Sequence, residues 1–116
     1  MALFSKMYYG YELVNLTPHT INLVTENGEE IAVEPSGQLA RVTTETVRYG
    51  YIGKIPLTKT EYGVVEGLPE PNDNCIYIVS LAVASRVPNR TDVMIPNESI
   101  RDDKGHVVGC KSLGHV

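Results

Sequence analysis

The residues best suited to chemistry lie between Cys75 and Arg101, in the run CIYIV–SLAVASRVPNR–TDVMIPNESIR. An apolar segment leads into a short helical segment that Ser80 begins and Pro88 ends. Arg86 lies within this helical segment, and Arg90 and Arg101 follow it. Guanidinium groups form paired hydrogen bonds with phosphate oxygens and stack on flat rings. A helix N-terminus also favours anions. The run therefore indicates a pocket for a small anionic ligand.

Seven residues of this region are the candidate ligand contacts. They are Arg86, Arg90 and Arg101 for phosphates, Ser80 at the helix N-terminus, Asp92 and Asn97 for ribose or base edges, and Tyr77 for stacking. Tyr49 and Tyr62 are two further aromatic faces for a base. The alternative interpretation is structural. In that case Arg90 pairs with Asp92 or Asp102, and Arg86 lies on the solvated side of the helix.

Catalytic signatures are absent from the sequence. Cys110 is near His106, but no third residue that would orient the pair is evident. The run from Asp102 to His106 has the composition of a type I turn, with Asp first and Gly late, rather than of a metal site. No glycine motif for binding phosphates occurs. We therefore expect no catalytic residue, no metal site, no cofactor and no enzymatic activity.

Length and charge narrow the class of protein. A chain of 116 residues fits one domain with its own core. The net charge of −4 does not supply the basic surface that duplex DNA requires. No apolar run approaches the roughly 20 residues that span a bilayer, and the N-terminal MALFSKMYYGYELV lacks the apolar core of a signal peptide. We expect a cytoplasmic protein that binds neither duplex nucleic acid nor membranes.

The two cysteines, Cys75 and Cys110, are far apart and lack the CxxC spacing of a zinc site. They also do not form the framework of a disulfide-rich domain. Cys75 begins an apolar strand, which is typical of a buried structural thiol.

The elements that must position the candidate residues are mostly strands. After a lead-in over residues 1–10, a single domain is predicted over residues 11–116. Strands are predicted at 12–16, 20–25 and 30–33, and Asn27–Gly28 between the last two indicates a hairpin with a type I′ turn. Strands at 39–49, 51–52, 55–60 and 62–66 follow, with Gly63 as a bulge.

In the second half of the chain, a loop, a strand and a helix follow one another. Residues 67–74 have the composition of a loop, and the apolar strand 75–79 is expected to be central and covered on both faces. Ser80 is the predicted N-cap of a helix from Leu81 to about Val87. A short strand at 93–95 is expected to end at Pro96, and Val107 begins a last hairpin arm. The prediction is a mostly β, small barrel or sandwich of six to nine short strands with one short helix.

The run Asn15-Leu16-Thr17-Pro18-His19 has two interpretations. It is either a bulge that aims polar side chains at a ligand, or a structural kink in which Asn15 and Thr17 bind backbone groups. The structural interpretation is favoured.

Nearly the whole chain, from Asn15 to Leu113, resembles a family of small proteins encoded by phages, prophages and some bacteria. The motifs that carry the resemblance are NLTPHTINLV, PSGQLARV, YGVVEGLPEP, IYIVSLAVASRVPNRTDVMIP and IRDDKGHVVGCKSL. The resemblance transfers no catalytic residue.

A phage origin implies a class of function. Small acidic phage proteins without enzymatic motifs are often inhibitors of host defence, and one class consists of β-rich homo-oligomers that sequester cyclic nucleotide or ADP-ribose-type immune signals. We expect such a sponge, with its ligand at a subunit boundary, acting in the host cytoplasm during infection. The alternatives are a protein-interaction inhibitor of a host enzyme, a small nucleotide hydrolase or a minor virion component.

Overall fold

The computed structural model describes residues 4–116. It contains nine strands and one helix, in the order β1 (Lys6–Tyr8), β2 (Tyr11–Asn15), β3 (Ile21–Val24), β4 (Glu30–Val33), β5 (Arg41–Ile52), β6 (Ile55–Glu66), β7 (Cys75–Ile78), α1 (Leu81–Arg86), β8 (Val93–Arg101) and β9 (Val107–Gly114). The predicted mostly β domain with one short helix is confirmed. Strand β1 belongs to the predicted lead-in 1–10, whose first three residues lie outside the described part.

Seven strands form one sheet in the order β1-β2-β7-β8-β9-β3-β4. Strand β7 runs parallel to both neighbours, whereas β8 and β9 are antiparallel and β9 is parallel to β3. An isolated parallel bridge joins Asn15 to Pro35, and the backbone N–H of Ser36 donates to the carbonyl of Asn15 at 2.8 Å. These contacts bring the two ends of the sheet together, which produces a nearly closed barrel.

Strand β7 separates two hydrophobic clusters, as its apolar sequence predicts. Ile78 faces a cluster on one side of the sheet, together with Leu13, Ile31 and Val33. Tyr77 and its alternate neighbours face a second cluster, which includes Val83 of the helix. Because both faces of β7 are covered, the strand does not carry a polar side chain at every second position.

The remaining two strands, β5 and β6, form a separate two-stranded sheet. Twelve residues in each strand are joined by Gly53–Lys54, and we call this hairpin, residues 41–66, the arm. The predicted strand ends within it are wrong, because β5 and β6 are each continuous, but the light break at Gly50 corresponds to a register shift between Arg48 and Gly50. The predicted irregularity at Gly63 is confirmed, since the register shifts between Val42 and Thr44 across from it.

The hairpin at Asn27–Gly28 is confirmed, but its turn type is not I′. The N–H of Gly28 donates to the carbonyl of Thr25 at 3.0 Å, and of the turn residues only Gly28, at +85°, has a positive φ. This is a type I turn followed by a left-handed glycine. The two-residue turn with positive φ at both positions lies instead at Tyr9–Gly10, between β1 and β2.

Strand β8 is longer than its sequence predicts. It continues through Pro96, which pairs with Leu113, and ends at Arg101 rather than Ile95. Strand β7 pairs with β8 only as far as Met94, so from Ile95 onward β8 has one neighbour in its ladder. A proline is tolerated on such an edge because its missing N–H is not needed by a second strand.

Candidate functional site

The helix is held at its start by Ser80 and packs on the sheet through one face. The backbone of Ser80 is extended and its hydroxyl accepts a hydrogen bond from the N–H of Val83 at 3.4 Å. Val83 and Ala84 are buried, whereas Leu81 and Arg86 point outward. Ser80 is therefore an N-cap, as predicted, and the outer face of α1 is free to contact other groups.

A groove of about 360 Å³ lies between this outer face and strand β6 of the arm. Its lining consists of Tyr62, Leu81, Ala82, Ser85 and Arg86. Within residues 4–116 the guanidinium of Arg86 has no hydrogen-bond or ion-pair partner. Tyr62 is half exposed, so its ring has an accessible surface. We call this the helix–arm groove.

Chemically, the groove offers a cation, an aromatic ring and an apolar wall. An unpaired guanidinium has free donors for phosphate oxygens, and an aromatic ring accepts a stacked base. The hydroxyl of Ser85 donates to the carbonyl of Leu81 at 2.7 Å, which leaves its lone pairs as acceptors. The groove is thus suited to binding a flat anionic ligand.

Arg90 and Asp92 form a two-point ion pair. The Nε of Arg90 donates to Oδ1 of Asp92 at 2.8 Å, and its Nη2 donates to Oδ2 at 2.7 Å. The same Nη2 donates to the carbonyl of Pro69 at 3.0 Å, which fastens the loop 67–74. Hydrogen bonding to Arg90 lowers the pKa of Asp92, and the same bond raises the pKa of Arg90. The structural interpretation, in which Arg90 pairs with an aspartate, is therefore the one observed for this arginine.

A second cavity, of about 400 Å³, lies beside this ion pair at the amino ends of β2 and β7. Its lining is rich in amide side chains, including Asn72, Asn74 and Asn89, and it also includes Tyr11. Because both carboxylate oxygens of Asp92 already accept from Arg90, the freer polar groups here are the neighbouring amides and the exposed carboxylate of Asp73.

Tyr77 is only 3 % exposed and presents no free aromatic face. Its hydroxyl donates to the carbonyl of Glu70 at 3.3 Å, again fastening the loop 67–74. Burial raises the pKa of Tyr77 to about 12. In this conformation the ring packs in the core and is not available to stack on a ligand.

Arg101 and Asn97 lie on β8, away from both cavities. Nη1 of Arg101 donates to the carbonyl of Gly105 at 2.7 Å, in the turn between β8 and β9. That turn has Asp102 first and Gly105 fourth, as predicted, and Oδ1 of Asp102 accepts from two backbone N–H groups. The side chain of Asn97 lies against Gly114 of the neighbouring strand.

The seven predicted contacts therefore do not form one site. Side-chain contact is observed only between Arg90 and Asp92, and Arg86 lies in a different cavity from that pair. Reasoning from sequence missed Ser85 and Leu81 and did not join Tyr62 to Arg86. The approach of β6 to α1 carries no local sequence signal, since it depends on where a hairpin twenty residues away is placed.

The two cysteines are buried, and burial raises the pKa of both thiols. Because the thiolate is the nucleophile, this environment disfavours Cys75 and Cys110 as reactive groups at neutral pH. Across residues 4–116 no three His, Cys, Asp or Glu side chains converge as metal ligands would. In the same range, no helix has the length and apolar character needed to cross a membrane.

Comparison of the chain with protein-family models, curated proteins and solved structures gives no match.

Proposed function

We propose that this chain is a non-enzymatic binding protein that sequesters a small nucleotide-derived ligand of the cyclic nucleotide or ADP-ribose type. The observation that supports it is that Arg86, whose guanidinium has no partner among residues 4–116, lines the helix–arm groove together with the accessible ring of Tyr62. Together with the resemblance to phage proteins, this chemistry suggests an inhibitor that removes an immune signal in the host cytoplasm.

In this proposal each lining residue has a distinct role. Arg86 binds a phosphate through two parallel N–H donors, and Tyr62 stacks on the base. The hydroxyl of Ser85 accepts from a ribose hydroxyl, and Leu81 covers the apolar edge of the ligand. None of the five lining side chains is a carboxylate, imidazole or thiol, which favours binding over turnover.

The test is a thermal-shift and mass-spectrometry screen of the intact chain against cyclic di- and trinucleotides and cyclic ADP-ribose isomers. We expect a stabilising shift and recovery of the unchanged ligand after denaturation. Arg86→Ala and Tyr62→Ala should each weaken binding at least tenfold. Arg101→Ala is the matched control, because Arg101 is also an exposed arginine but contacts only a backbone carbonyl.

Three outcomes would contradict the proposal in different ways. A cleaved ligand would make the chain a nucleotide hydrolase. Loss of binding in Arg101→Ala but not in Arg86→Ala would move the site to the β8–β9 turn. The absence of any shift would favour the second candidate function.

That second candidate is a protein-interaction inhibitor of a host enzyme. It is favoured by the exposed apolar side chains of the arm, among them Tyr51, Ile52 and Ile55. This function predicts a stable complex with one host protein and no affinity for the nucleotides above, which affinity capture from host lysate would measure.

A further inference from the structure

The arm extends from the barrel and is packed against it only at its base. Val42 and Val65, near the base, contact the core cluster of the helix. The other arm residues are exposed or half-buried on both faces of the two-stranded sheet. Strands of 12 residues correspond to about 40 Å of extended chain. A two-stranded hairpin of this kind is marginally stable in water by itself, so it requires a covering surface.

The dimensions of the molecule show how much surface the arm leaves uncovered. The radius of gyration is 16.9 Å, whereas a compact domain near this size has about 13 Å. The accessible surface is 8142 Å², against about 6,300 Å² expected for a compact monomer of this mass. A standard protein–protein interface covers about 800 Å² on each partner, so the excess is large enough for one.

The exposed surface of the arm is apolar near its tip. Tyr51, Ile52 and Ile55 are each more than 60 % exposed, and Ile52 lies directly across from Ile55. Tyr49 and Val64 add exposed apolar surface farther along the hairpin. Aromatic and branched apolar residues concentrated in this way are typical of the buried centre of an interface.

The charges of the arm indicate what kind of partner covers it. The arm carries four basic and three acidic residues, so it is nearly neutral, whereas the whole chain has 10 basic and 14 acidic residues. Both strands carry both signs, with Glu45 and Arg48 on β5 and Lys59 and Glu61 on β6. A polyanion or an anionic membrane would require a surface of one sign. Mixed charges are complementary to themselves, as a two-fold contact between identical surfaces demands.

We propose that two copies of this chain associate through their arms, and that Tyr51, Ile52 and Ile55 of each copy are buried by the other. This dimer does not depend on the proposed ligand, although its arms also border the helix–arm groove through Tyr62.

The test is the solution mass of the full chain without ligand, by sedimentation velocity across a concentration series. We expect about twice 12.8 kDa. The variant Ile52→Lys/Ile55→Glu places opposite charges across the tip pair, which preserves hairpin pairing while removing its apolar surface. Its dimer should dissociate at least tenfold more readily. The control Met7→Lys/Val116→Glu alters comparably exposed apolar residues off the arm and should remain dimeric.

Hydrogen exchange of the wild-type chain gives a second measurement that does not depend on the folding of a variant. Amides of residues 41–66 should exchange more slowly at high than at low protein concentration, whereas those of β7 should not change. If the wild-type chain is still monomeric at about 100 μM, its association is weaker than a specific interface gives, and the proposed dimer is overturned. So would a dimer that the tip variant leaves intact. Neither result affects nucleotide binding by Arg86, which is measured separately.

Discussion

The side-chain amide of Asn15 donates to the carbonyl of Val33 at 2.9 Å, across the seam where the ends of the barrel sheet meet. The same amide donates to the carbonyl of His19 at 2.7 Å. Its oxygen accepts from both the N–H and the hydroxyl of Thr17. Asn15 is fully buried, and the four bonds use its whole hydrogen-bonding capacity. The structural interpretation of the motif that begins at Asn15 is therefore the one observed.

Replacing Asn15 by alanine should lower the free energy of unfolding by about 3 kcal/mol, because the buried carbonyl of Val33 and part-buried bonds to Thr17 and His19 lose their partner. Chemical denaturation measures the change. Asn22→Ala is the control, since Asn22 is exposed and its one side-chain bond, to Val108, is long at 3.5 Å. It should cost less than about 0.5 kcal/mol. Equal effects would show that the seam does not depend on Asn15.

The ion pair of Arg90 and Asp92 should stabilise the fold more than the surface pairs do. Its side chains are 22 % and 15 % exposed, whereas those of Arg41 and Glu66 are 73 % and 51 % exposed. We expect Arg90→Ala to cost about 2 kcal/mol, because it leaves a half-buried carboxylate without its partner. Arg41→Ala should cost less than about 0.5 kcal/mol. Thermal and urea unfolding of the two variants would distinguish these values.

The same ion pair predicts that the free energy of unfolding falls at acidic pH. Arg90 lowers the folded-state pKa of Asp92, so its contribution is complete above the unfolded-state pKa of about 4. It is lost as the pH falls through the lower folded-state pKa. Asp92→Asn should reduce the pH dependence of stability below about pH 4. An unchanged slope in that variant would mean that other carboxylates cause the whole dependence.

Tyr77 should be the last tyrosine to ionise. Its pKa is raised to about 12, so the stabilisation it provides is complete below the ordinary pKa of about 10 and is lost as the pH rises towards 12. Absorbance of tyrosinate near 295 nm should show one of the seven tyrosines titrating late. The Tyr77→Phe variant should lack that last step. Its persistence would assign the step to another tyrosine.

Gly67, where the arm returns to the barrel, should tolerate no side chain. Its φ is +81°, and a methyl group there would overlap the carbonyl oxygen of Leu39. Gly28 has a similar φ of +85°, but a methyl group there would meet no heavy atom within 4 Å. Gly28→Ala should therefore cost about 1 kcal/mol from backbone conformation alone, and Gly67→Ala about 3 kcal/mol or more. Similar costs in denaturation would mean that the arm base readily shifts.

Local chemistry made several features predictable. The N-cap by Ser80, the hairpin at Gly28 and the turn from Asp102 to Gly105 each depend on residues within a few positions of one another. The pairing of Arg90 with Asp92 is also local, and it was one of the alternatives that the sequence left open. The end of β8 was not predictable, because Pro96 is tolerated only through the absence of a second neighbouring strand there.

The sequence by itself determined the β-rich class, the position of the helix, the central apolar strand and most of the turns, since these follow from side-chain period and backbone preference over short distances. Only the tertiary structure decided that residues 41–66 leave the barrel as an arm, that Tyr62 and Arg86 line one groove, and that Tyr77 is buried. These relationships join residues far apart in the chain. They arise because apolar surfaces must be covered by whichever distant element fits, and alternation within one segment does not specify that element.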